Sequence, residues 1–168
     1  VRIYKGIELN ILDTEGTVDL ADRFLARLEV VIASLHTACI PQGTVDENTM
    51  AIINTMKNPN IKIIGHPGDV LYPINIEKVV KAASDMGKVL EINNASLKPE
   101  SHRKDVNSIK EIIRLCKEYN VPMTLGSDAH FYKHLGDFTF AIELLEEFNI
   151  SDDLILNTNI ELFERVLE

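Results

Sequence analysis

The sequence is short of the features that mark several large protein classes. It has only two cysteines among 168 residues, Cys39 and Cys116, with no CxxC spacing. That excludes a disulfide framework or a cysteine-rich zinc site and reads as a reducing, cytoplasmic setting. No apolar run approaches the ~18 residues of a membrane span, and no signal-peptide pattern is seen, so no membrane partner is expected. Basic residues are in deficit: 17 Lys and Arg against 26 Asp and Glu, a net charge of −9. A general nucleic-acid binder needs a basic face to neutralise phosphates, so nucleic acid is not expected as a partner. A small anionic substrate stays compatible, because a bound metal supplies positive charge locally. Linkers, low-complexity tracts and internal repeats are also missing, and 168 residues suit one domain, residues 1–168.

What is present is an alternation. Apolar, β-rich runs occur at "RIYKGIEL", "EVVIASL", "IKIIG", "KVLEIN" and "VPMTLG", with a short sixth candidate at Leu154–Leu156. Between them lie helical patterns. "TVDENTMAIINTM" opens with Thr44 and Glu47 at capping-box spacing. "NIEKVVKAASDMG" puts Ile76, Val79, Val80 and Ala83 on one face and stops at Gly87. "VNSIKEIIRLCKEYN" and "DFTFAIELLEEF" repeat the same spacing, and Cys116 shares the apolar face of Ile109, Ile112 and Ile113. A last helix is predicted over Glu161–Leu167, with Thr158 and Glu161 as a second box. Strands alternating with helices predict an α/β fold with about five parallel strands. A closed eight-stranded barrel needs about 250 residues, so the alternatives are an open sheet or part of a barrel.

The ends of the predicted strands carry the chemistry. The first reaches Glu8 and Asn10, the second His36, the third His66 in "GHPGD", the fourth "EINNAS", and the fifth Asp128 and His130. Each alone has an ordinary explanation: a surface acid, a loop histidine, a tight turn at Pro67 and Gly68, a helix cap. Together they place three of the five histidines on the face where parallel strands end and sites form. His102 and His134 fall in loop-like segments. Imidazole and carboxylate donors suit zinc, manganese or iron. A carboxylate such as Glu8 can bridge two ions, and paired metals serve phosphoester hydrolysis. Arg103 and Lys104, in the polar segment after the fourth strand, are candidate phosphate holders, and equally plain solvated cations.

The stretches "GIELNI", "VIASLH", "IIGHPG", "LEINNAS" and "LGSDAH", in this order, with "GTVDL" and "ILNTN" around them, resemble the PHP (polymerase and histidinol phosphatase) superfamily, and most of all its YcdX-like phosphatase branch. The resemblance covers essentially the whole chain. It implies a distorted (β/α)7 TIM-like barrel with up to three divalent metals at the strand carboxyl ends, zinc first and manganese or iron as alternatives. It implies Glu8 as the bridging carboxylate, His36 and His66 as ligands of the metal it shares, Asp128 as a ligand of its neighbour and His130 as a ligand of a third ion. The implied activity is metal-dependent hydrolysis of a small phosphorylated substrate, with a metal-bound hydroxide as nucleophile. The family's first motif, an HxH on the first strand, is absent, as is the next His-bearing strand. The chain also begins with Val1 rather than Met and runs at once into a strand. It therefore reads as the C-terminal part of such a barrel, N-terminally truncated, impaired in activity, and prone to homo-oligomerise through its open edges. Three other readings compete: an inactive metal-binding or interaction fragment, a metal-dependent amidohydrolase, and a nuclease or polymerase-associated PHP module.

Overall fold

In the computed structural model, which describes residues 2–167, the strands are shorter than the apolar runs that predict them. They are β1 (Gly6–Asn10), β2 (Val30–Ser34), β3 (Ile63–Ile64), β4 (Val89–Asn93) and β5 (Met123–Gly126). The terminal residues of the expected domain, Val1 and Glu168, lie outside the described residues. The helices are α1 (Asp22–Leu25), α2 (Val45–Met56), α3 (Ile76–Asp85), α4 (Asn94–Leu97), α5 (Val106–Tyr119), α6 (Thr139–Glu147) and α7 (Ile160–Leu167). No described helix is long and apolar enough to cross a membrane.

All neighbouring strands are parallel, and their spatial order is their chain order, β1-β2-β3-β4-β5. This order decides between the two architectures. A doubly wound sheet reverses its strand order at a switch point and puts helices on both faces. A sheet that never reverses keeps its crossover helices on one face, as in the wall of a TIM-like barrel. The two faces differ accordingly. Leu9, Val31, Ala33, Ile64, Leu90, Ile92, Met123 and Leu125 point to the helix side and join Ile52, Val80, Ile112 and Ile113 in the main core. The alternate residues Ile32, Ile63 and Val89 point inward and form a separate cluster, covered by Leu162, Phe163 and Val166 of α7. The inner face is thus apolar at its base and polar at the carboxyl ends of the strands.

Local signals explain most boundaries. Thr44 and Glu47 form a reciprocal capping box at the start of α2. Asn75 caps α3 through the Lys78 amide, and Gly87 follows it at φ +61°. Asp105 caps α5, which ends on Asn120 in the left-handed region. The expected box at Thr158 and Glu161 is not what starts α7. The Asn159 carboxamide oxygen accepts the Glu161 amide at 2.9 Å, while the Thr158 hydroxyl turns back to the Asp152 and Ile155 carbonyls. The sixth strand candidate is reduced to a bridge from Ile155 to Met123, and beyond it Asn157 takes over. Its side chain accepts from the Leu125 amide at 2.6 Å and donates to the Leu125 carbonyl at 3.0 Å, satisfying the β5 edge as a further strand would.

Candidate metal centre

Alternation along β1 sends Ile7 and Leu9 to the helix side and Glu8 and Asn10 to the inner face. The β1–β2 register sets Asn10 opposite Ser34, so the chain leaving β2 presents His36 beside Glu8. The chain leaving β3 presents His66. Glu8 Oε1 lies 3.4 Å from His36 Nε2 and 3.3 Å from His66 Nε2, and the two Nε2 atoms are 3.2 Å apart. Among the described residues, this is the group of three donors close enough to share an ion. Three donor atoms bonded at about 2.0 Å to a tetrahedral ion stand about 3.3 Å apart. The observed triangle has that size, so the residues present fit a divalent cation.

The surroundings hold each corner. The Ser34 hydroxyl donates to Glu8 Oε1 at 2.6 Å. A Cβ at Gly65 would sit 2.2 Å from that hydroxyl oxygen, so the approach of the β3 loop to Ser34 needs glycine. His36 Nδ1 is 2.8 Å from Asn10 Oδ1. His66 has an almost buried ring and a backbone at φ +31°, rare for a residue with a side chain. Its amide donates to Glu91 Oε2 at 2.8 Å. When protonated, the imidazoles of His36 and His66 donate to Glu8 and, together with the Ser34 hydroxyl, hold its carboxyl well below the usual carboxylate range. Burial pushes the Glu91 carboxyl up.

Asp128 and His130 stand apart from the triangle. Asp128, at φ +49°, is paired with the Arg103 guanidinium and lies 3.4 Å from Asn93 Nδ2. Burial alone would raise its carboxyl; Arg103 outweighs burial and holds it below the usual range. His130 is exposed, and its Nδ1 lies 3.0 Å from the Asp128 carbonyl oxygen. Both residues nonetheless line the same open cavity of about 550 Å³ as Glu8, His36 and Arg103. Asp69 joins them there, nearly buried, with its carboxyl raised by burial.

Glu91 escapes the sequence reading, which looks to strand ends for ligands and passes over an acid inside an apolar strand. The signal was in "VLEIN", where an acid on the inner face of a central strand needs a partner. Its neighbour Gly126 is fitted to it: a Cβ there would lie 1.7 Å from Glu91 Oε1.

Known proteins resemble this chain closely. A family model described as "PHP-associated" matches residues 109–157. A probable phosphatase of Caldanaerobacter subterraneus subsp. tengcongensis is 46% identical over the whole chain, which covers 66% of that protein. A probable phosphatase of Acetivibrio thermocellus is 40% identical, again over the whole chain, which covers 69% of it. The chain therefore spans about two thirds of the length of these curated relatives. In fold, it matches a chain from "cryo-EM structure of archaeal Ribonuclease P with mature tRNA" with a TM-score of 0.60 at 13% identity, over 99% of this chain and 68% of that one. Relatives of this identity over the full chain, with parallel strands in unbroken order, place the chain in the PHP superfamily.

Proposed function

We propose that the protein is a metal-dependent phosphoester hydrolase acting on a small phosphorylated substrate, and that Glu8, His36 and His66 hold one of its cations. The observation that carries this reading is the triangle of three donor atoms, 3.2–3.4 Å on each side, from Glu8 within β1 and the histidines just past β2 and β3. That the relatives are named phosphatases supports the choice of reaction. A divalent cation in such a site supplies Lewis acidity and an activated water for attack at phosphorus. Zinc suits the donors, as do manganese and iron.

The chain's own residues account for the rest. Glu8 brings negative charge and His36 and His66 bring neutral donors, so a bound cation keeps net positive charge to face a phosphate. Arg103 lines the same cavity. Its guanidinium carries five donors in a planar fork, and Asp128 engages Nη2. The remaining edge suits phosphoryl oxygens. In this reading Asp128 and His130 serve neighbouring ions when the family's HxH segment is present, and the chain alone is impaired.

The test is hydrolysis of p-nitrophenyl phosphate with zinc or manganese, by the chain alone and joined to the HxH-bearing segment of a family member. Metal-dependent turnover by the joined protein, lost in Glu8→Gln and His66→Ala variants, is expected. A joined, folded protein that binds metal and leaves phosphomonoesters untouched contradicts the reading.

A further inference from the structure

The triangle works as a cation site only if His36 Nε2 offers a lone pair, and that depends on which ring nitrogen carries the proton. Asn10 touches the other nitrogen: its Oδ1 lies 2.8 Å from His36 Nδ1. An amide can present either oxygen or nitrogen, so Asn10 by itself fixes nothing. Asp19 removes the ambiguity. After β1 the chain turns back on itself, with Leu12 N donating to Thr17 O at 2.8 Å and Ile11 bridging Val18. This fold-back sets the Asp19 carboxylate beside Asn10. One oxygen accepts the Asn10 backbone amide at 3.0 Å and the other faces the Asn10 side chain. A carboxylate only accepts, so the side-chain atom facing it must be Nδ2. Asn10 Oδ1 then faces His36, and only a protonated Nδ1 satisfies it.

We infer that Asn10 and Asp19 are positioning residues: Asp19 orients the Asn10 amide, Asn10 fixes His36 as its Nδ1–H tautomer, and Nε2 is thereby aimed, unprotonated, at the cation. The inference rests on the proposed cation site. Partners that orient a ligating histidine in this way commonly change metal affinity about 10–100-fold when removed.

The test is ¹⁵N NMR of the histidine rings in the metal-free chain, with zinc affinity measured against a chromophoric chelator. Asp19 is exposed, so an Asp19→Ala variant removes the anchor with little risk to folding; Asn10→Leu removes the acceptor itself. In the unchanged chain, at a pH where the ring is neutral, His36 is expected with Nδ1 protonated and Nε2 bare. Asp19→Ala should let the amide turn and raise the Nε2–H form, weakening zinc binding about 10-fold or more. A His36 that carries its proton on Nε2 in the unchanged chain overturns the inference, as does an Asp19→Ala and Asn10→Leu pair that keeps the original tautomer. A tautomer that shifts while zinc affinity stays constant overturns the aiming role. If the tautomers behave as expected but the unchanged chain binds no zinc, the proposed cation site fails while Asn10 and Asp19 still set the His36 proton.

Discussion

Glu91 Oε2 accepts the backbone N–H of His66 at 2.8 Å, so an acid in the middle of β4 holds the residue that follows β3. The bond fastens His66 where its backbone is least comfortable, at φ +31°. Replacing Glu91 by Leu leaves that amide without its acceptor, at a cost of about 1–3 kcal/mol. The freed loop should also weaken cation binding about 10–100-fold. Glu91→Gln keeps an acceptor and should retain most of both. Denaturant melts and zinc titrations of the two variants check this; equal behaviour of Leu and Gln would refute it.

Gly126 is coupled to the same acid. A Cβ at this position would meet Glu91 Oε1 at 1.7 Å, and Glu91 cannot simply swing away while it holds the His66 amide. Gly126→Ala should cost about 1–3 kcal/mol, as overpacking does. Combined with Glu91→Ala, the alanine at 126 should cost almost nothing. A double-mutant cycle with no coupling would contradict the contact.

The Arg103–Asp128 pair has a pH signature. Asp128 has a folded pKa below its ordinary value, so the pair stabilises the fold above about pH 4 and loses that contribution as pH falls through the lowered pKa. Arg103→Met should lower stability at neutral pH and flatten the acid limb of the stability profile. Urea midpoints from pH 7 to pH 2.5 measure both. Parallel acid limbs would show that the pair contributes nothing.

The two thiols should differ sharply. Cys116 is buried and its thiol is pushed up to about 12, whereas Cys39 is exposed. At pH 8 an aromatic disulfide reagent should titrate one thiol in the native chain and both in denaturant. Rapid native reaction of both would mean that α5 does not pack as described.

The parallel sheet was legible because buried strands read as apolar runs and helices announce their ends, as Thr44 and Gly87 do. The positions of Glu8, His36 and His66 were legible for a related reason: parallel strands deliver their ends to one face. Contacts that depend on lateral register were not. Nothing in the order of residues says that Glu91 reaches the His66 amide, that Gly126 makes room for it, or that Arg103 pairs with Asp128. α1 and α4 are too short to show a period. The placement of α7 over Ile32, Ile63 and Val89 follows from the inner face having an apolar base, which only the topology reveals.

Whether Glu8, His36 and His66 together hold a cation is measured by zinc binding to the metal-free chain at pH 7.5. The unchanged chain should take up zinc at a site that is lost in both Glu8→Gln and His66→Ala, with circular dichroism spectra unaltered. Uptake of the same amount of zinc with the same affinity by all three proteins would contradict it.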